Sequence, residues 1–239
     1  MHVHLPKPLH GWRAFVGEVG IIVLGVLIAL GAEQAIQGFH DRQVAAQSRR
    51  DVRDEVAWDL GFYRTRLQES SCIESRLDEL SRFVQSGAVP ANTVKWVGRA
   101  ADFAPFFERW RAVTSSARTA LFSPAEQSSF DAIYGIFARM DQESQAEQSA
   151  WTDLNILQHI NGPIDSPTRL VLLRAIEQAR RSDDVMRFVS TYVYFHAHRL
   201  GITSNPDTSP QAGDVYDVCL PLSMPAEQAR ELLAPRKPK

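Results

Sequence analysis

The sequence predicts an all-α protein, with a single N-terminal transmembrane helix continuing into a stalk and an antiparallel helical bundle. Three observations carry that prediction. Residues 14–32, AFVGEVGIIVLGVLIALGA, hold one charge, Glu18, in 19 positions. Elsewhere apolar residues recur three and four apart, the helical period, while the alternation of a half-buried strand is almost absent. Gly and Pro gather at a few places that punctuate the periodic runs.

The apolar segment comes first, after a leader over residues 1–13. At about 1.5 Å per residue a helix of this length reaches roughly 28 Å, close to the hydrocarbon thickness of a bilayer. A cleaved secretory signal is the rival reading, because Lys7 and Arg13 precede the run and Ala29-Leu30-Gly31 has the small-x-small form of a cleavage site. Against it, the leader is long and contains Pro6 and Pro8, and the residues after Gly31 are helical in pattern. A retained anchor is therefore expected.

No Pro occurs between Pro8 and Pro90, so the crossing helix is expected to run on as a stalk over residues 33–60. Its first part, Glu33 to Glu55, is rich in Gln, Arg and Asp and reads as a solvated neck. Val52, Val56, Leu60, Tyr63 and Leu67 then mark a buried stripe, with Gly61 as an expected kink. A bundle is assigned to residues 61–233. Ile73, Leu77, Leu80 and Val84 continue the stripe until Gly87-Ala88-Val89-Pro90 ends it.

A short helix is expected from Asn92 to about Ala101, and Pro105 separates it from a face of Phe106, Phe107, Trp110 and Val113. Ser123-Pro124-Ala125-Glu126 has the capping-box form, opening a helix expected to reach about His159 with Phe130, Ile133, Tyr134, Phe137 and Met140 inward. Asn161-Gly162-Pro163 stops it. Ser166-Pro167 is read as the next start, with Leu170, Leu173, Ile176, Val185, Val189, Val193 and Leu200 lining that helix to Gly201. Ser204 to Gly213 is a loop by composition, Cys219 is expected in a short extended stretch, Pro225 to Leu233 in a last small helix, and residues 234–239 form a basic tail.

The two cysteines, Cys72 and Cys219, suit one disulfide in an oxidising compartment, and two unrelated buried thiols are the alternative. The bridge would place the body outside the inner membrane and the N-terminus in the cytoplasm, a choice that the basic residues flanking the segment do not make. Glu18 lies only five residues from Arg13, roughly 7.5 Å along a helix, so its carboxylate either snorkels to the interface or meets a partner helix. Gly25 and Ala29 form a small-xxx-small pair and Ala32 continues near that face, which permits close approach of a second membrane helix.

A net charge of −2, from 26 basic and 28 acidic residues, provides no field for nucleic acid, and no nucleic-acid partner is expected. Metal ligation fails on spacing, because His196 and His198 fall on different helix faces and neither HExxH nor CxxC occurs. No nucleophile elbow or phosphate loop is present. No cofactor and no enzymatic activity are expected. The aromatic set Phe103, Phe106, Phe107 and Trp110 is either core or the lining of a pocket or groove.

Residues 4–34, above all GEVGIIVLGVLIALGAEQ, resemble the N-terminus of a group of uncharacterised single-pass membrane proteins of alphaproteobacteria such as sphingomonads. The resemblance implies a bacterial inner-membrane protein with a helical body, and it supplies no activity or ligand. The expected function is a membrane-anchored periplasmic interaction or scaffold protein, in contact with lipid and with either another copy or another membrane protein. A ligand-binding sensor that signals through a separate partner is the alternative.

Overall fold

The computed structural model describes residues 11–211 and 214–234. It is 75% helical, and the long apolar helix at its N-terminal end is followed by further helices. The leader up to His10 and the tail from Pro235 lie outside the described residues. The helices are α1 Gly11–Gln68, α2 Ser70–Ser86, α3 Glu108–Thr114, α4 Pro124–Leu154, α5 Ser166–Arg199 and α6 Ala226–Leu233, with strands β1 Ala88–Val89 and β2 Gly162–Pro163. The chain divides between Ser48 and Arg49 into two units.

The first unit is the N-terminal part of α1. From Phe15 to Ile36 every residue is exposed, including Ile21, Ile22, Leu24, Leu27 and Leu30. Among the described residues, α1 alone is long and apolar enough to cross a membrane.

The second unit is a bundle whose long helices run in two senses. Tyr134 meets Glu55 and Arg66 meets Glu147, so the end of α1 and α4 ascend together. Arg53 reaches the carbonyls of Leu200 and Gly201, Arg66 reaches Asp183 and Asp78 meets Arg180, so α5 descends past α1 and α2. Val52, Val56, Leu60 and Tyr63 are all buried, as the period predicts. The α1 helix continues through Gly61. A Cβ there would lie 1.9 Å from Thr208 Oγ1, so the missing side chain admits the 205–209 loop. The break falls at Glu69, and α2 restarts at once with Ile73, Leu77, Leu80 and Val84 fully buried.

Gly87 ends α2 at φ 75°, with its N–H shared between the Phe83 and Val84 carbonyls. The next two residues pair antiparallel with Gly162 and Pro163, a ladder too short to show alternation in a sequence. The helix expected over Asn92–Ala101 is absent, and residues 92–107 form a strap without helix or strand. Its N–H groups are taken from outside. Lys95 and Trp96 donate to the Leu222 carbonyl, Ala101 to Glu69, Phe103 to Ser144 Oγ and Phe106 to Asp59. Gly98, at φ 71°, passes so near the Asp217 carbonyl that a Cβ would sit 2.7 Å from its oxygen.

The capping box of α4 forms. Ser123 N donates to Glu126 Oε2 at 2.8 Å, and the Ser123 hydroxyl accepts from Glu126 N at 3.3 Å. The last turn tightens into a 3₁₀ turn over Asn155–His159, so α4 itself stops at Leu154. The cap of α5 is Asp165 rather than Ser166, its Oδ1 accepting from Thr168 N at 2.9 Å. Its inward face also differs from the expected one. Ile176 and Val193 are buried, but Leu172, Ala175, Ala179, Met186 and Ala197 take the other places, and Leu170 is exposed. Small Ala side chains let α5 sit close on α4, and a count of large apolar residues does not register them. Cys219 lies in a 3₁₀ turn, Asp217–Cys219, not in an extended stretch.

Candidate functional site

Three polar arrangements organise the body. The first centres on Arg66 of α1, 1% exposed. Its Nη2 donates to both oxygens of Glu147 at 2.8 Å, and its Nη1 to Asp183 Oδ1 at 2.9 Å. Ser70 Oγ donates to the same Asp183 oxygen at 3.0 Å, and Arg187 Nε lies 3.0 Å from the other. Burial alone favours the neutral form of Arg66, but the charges of Glu147 and Asp183 outweigh it and hold the guanidinium charged. The cluster ties α1, α4 and α5 together, and a buried triad of this kind fixes register more than it adds stability.

The second is a set of carboxylates, Glu55 and Asp59 on α1 and Glu69 at the break before α2, that accept from backbone N–H groups of residues 101–109. Glu55 accepts from Arg109 N at 3.0 Å and from the Tyr134 hydroxyl at 2.6 Å. Asp59 accepts from Phe106 N at 3.0 Å and Glu69 from Ala101 N at 2.8 Å. Burial pushes Asp59 up to about 8, against the Phe106 N–H and with help from the Glu55 charge. Burial likewise pushes Glu69 up to about 7, against the Ala101 N–H and the charge of Arg66. Acids in this range serve proton transfer in enzymes. Here both lie buried beneath the strap with their oxygens on its backbone, an arrangement that positions the strap.

The third is the C-terminal arm. Cys72, in the first turn of α2, is bonded to Cys219, closing a separation of 147 residues. A loop of that size corresponds to roughly 4 to 5 kcal/mol in chain-entropy accounting. Buried Arg76 sits one turn beyond Cys72 and donates to the carbonyls of Trp96, Val97 and Leu220, so one guanidinium clamps strap and arm together. Trp96 Nε1 donates to Asp217 Oδ1 at 2.6 Å. Nothing in the sequence marked Arg76 or Arg66, because isolated arginines on helices read as solvated.

The remaining positions singled out by sequence lie apart from these. Glu18, Gly25, Ala29 and Ala32 are exposed along the first unit, and no side chain approaches within 4 Å of a Cβ built at Gly25. Phe103 and Trp110 are core, Phe107 is half-buried and Phe106 is exposed, so the aromatic set is not a single pocket lining. Among the described residues, no group of His, Cys, Asp and Glu is arranged to hold a metal ion. A cleft of about 180 Å³ opens between α2 and α5, beside Asp78, Asp183 and Arg187.

One surface was not anticipated. On the outer side of α5, Phe188, Tyr192 and Phe195 are 69%, 52% and 56% exposed. Val185 and Val189 draw the stripe expected from the sequence to the positions flanking them. Comparison with family models, with curated proteins and with solved structures found no match for this chain.

Proposed function

We propose that this chain is a membrane-anchored helical interaction protein, its apolar N-terminal segment crossing the bacterial inner membrane and its disulfide-bonded body standing in the periplasm. The observation that carries the reading is the Phe15–Ala32 stretch, where large apolar side chains point to every side of an exposed helix. Water does not tolerate such a surface, and a bilayer does. The Cys72–Cys219 bond favours an oxidising compartment, and with it the body on the periplasmic side. The likeness of residues 4–34 to single-pass alphaproteobacterial membrane proteins points the same way. Buried acids covered by a strap, and an exposed aromatic row on α5, favour a binding body over a catalytic one.

Fractionation of the full chain expressed in a bacterium tests this. After alkaline washing it is expected in the membrane pellet, with reporters fused to the C-terminus active only in the periplasm. A soluble mature product beginning near Ala32, or a C-terminus labelled from the cytoplasm, overturns the reading. Extraction in mild detergent is expected to recover a stoichiometric membrane partner or a homo-oligomer.

A further inference from the structure

The two buried arginines of the body are compensated differently. Arg66 has two buried carboxylates on its guanidinium, Glu147 and Asp183. Arg76 lies nearly as deep, 3% exposed, yet its hydrogen bonds go to carbonyls, those of Trp96 and Val97 at 2.9 and 2.5 Å and that of Leu220. Its Nε makes no hydrogen bond, and its ion-pair partner Glu79 stands 3.5 Å from that Nε with its side chain 40% exposed. Carbonyl dipoles satisfy the donors of a guanidinium without cancelling its charge. Burial accordingly pulls the Arg76 pKa down, with the charges of Glu79 and Asp217 opposing it. This half-compensated cation lies four residues beyond Cys72, one turn along the same face of α2. Both residues line a cleft of about 340 Å³ that also takes in Ser75 and Cys219. Cys219 is exposed and Cys72 half-buried, so a reagent in solvent meets the disulfide from the side of the arm.

We propose that the Cys72–Cys219 bond is a thiol–disulfide exchange site, addressed at its exposed Cys219 sulfur by a dithiol protein of the thioredoxin-fold class. The incoming thiolate forms a mixed disulfide with Cys219, the Cys72–Cys219 bond breaks, and its electron pair stays on the Cys72 sulfur as a thiolate. The second thiol of the reductant, held beside the mixed disulfide, attacks it and releases Cys219. The reductant ends as a disulfide, and the two protons of its thiols are left for the two sulfurs of this chain. Arg76 sets the direction of the exchange. A sulfur departs faster the better its anion is stabilised, and Cys72, half-buried on the helix face that carries Arg76, gains from that cation. Reduction in turn supplies the anion that Arg76 lacks in the bonded state. The exchange removes the covalent tie and leaves the polar ones, because Trp96 Nε1 still donates to Asp217 and the N–H groups of Lys95 and Trp96 still donate to the Leu222 carbonyl. The helical body therefore stays folded while the arm that carries Cys219 gains freedom. The inference draws on the body alone and stands whether or not residues 14–32 cross a membrane.

The test mixes the full chain, in mild detergent at neutral pH and without denaturant, with a thioredoxin-fold protein in its dithiol form, and reads free thiols by the mass added on alkylation. Both cysteines are expected to become reactive while the far-UV circular dichroism is unchanged. A reductant lacking its second cysteine is expected to be trapped on Cys219 about tenfold more than on Cys72, read by peptide mass spectrometry. In the reduced chain the pH midpoint of alkylation by iodoacetamide is expected to lie lower at Cys72 than at Cys219. Arg76→Gln should remove that difference, and Arg76→Lys, which keeps the charge, should retain it. Resistance of the bond until the chain is denatured, loss of the helical signal on reduction, trapping on Cys72, or equal midpoints at the two cysteines overturns the proposal. Those four readings are made on the parent chain, so they decide the matter even where Arg76→Gln does not fold. A folded Arg76→Gln that keeps the difference, or a folded Arg76→Lys that loses it, overturns the proposal as well.

Discussion

Phe15–Leu30 and Val52–Tyr63 belong to one helix and are both rich in apolar side chains, yet the first is exposed throughout and the second has its stripe buried. What separates them is pattern rather than content. Between Val52 and Tyr63 the stripe of Val52, Val56, Leu60 and Tyr63 recurs on one side and is buried, while Arg53, Asp54 and the exposed Trp58 and Phe62 occupy others, so one face enters a protein core and the rest meets water. Between Val19 and Ala32 no polar residue marks any side, so no protein core of ordinary size satisfies the whole surface. One helix is written for two solvents.

Charge is the strongest way to break this contrast. Val23→Arg combined with Leu27→Arg is expected to cost about 2.5–3.5 kcal/mol per residue for membrane insertion. The chain should leave the membrane pellet while the body keeps its thermal transition; retention in the pellet contradicts the assignment of that segment to lipid. On the body's side, Arg66→Ala leaves Glu147 as a buried acid without its cation and Asp183 with only Arg187 and Ser70, for an expected loss of about 3–5 kcal/mol in denaturant melts. A variant as stable as the parent would show that the triad is not closed in solution.

A matched pair of deletions sharpens the comparison further. Leu60→Ala, at a fully buried position, should lower body stability by about 2–5 kcal/mol. Leu27→Ala, on the exposed stretch, should leave the same transition unmoved. Equal effects would mean that the two regions share one packing environment.

The smallest expected effect is a slope with pH. Asp59 and Glu69 have folded pKa values raised to about 8 and about 7 by burial, against ordinary values of 3.8 and 4.5. Their protonated forms are favoured by folding, so their contribution is fully present below about pH 4 and is lost as pH rises through 7 and 8. Stability should fall between about pH 4 and pH 8, by at most about 1.4 kcal/mol per pH unit for each group, and level off above that. Asp59→Asn should flatten the upper part of that slope. A flat profile for the parent would mean that water reaches these acids beneath the strap.

Much of this was readable in advance. The stripes of α1, α2 and α4 and the Ser123 capping box depend on neighbours within one or two turns, so period and cap chemistry suffice to find them. The strap replaces the helix expected over Asn92–Ala101 because its N–H groups are satisfied by Glu69, Asp59, Ser144 and the Leu222 carbonyl, partners far away in sequence. The inward face of α5 includes Ala175, Ala179 and Ala197, small side chains whose burial depends on neighbours distant in the chain. The outer aromatic row stayed hidden for the same reason, since two apolar stripes on one helix are told apart only once one of them is buried.

By itself the sequence determined the all-helical class, the apolar N-terminal segment, the starts of α4 and α5, the end of α2 and a cysteine pair able to bridge. Local spacing and side-chain chemistry are enough for each of these. Only the tertiary structure decided that Arg66 and Arg76 are buried, that the return from α2 is a strap hung on carboxylates, and which face of α5 is left open. Those outcomes depend on which groups far apart in the chain meet in a low dielectric, where a charge or an N–H without a partner is costly and one with a partner is held in place.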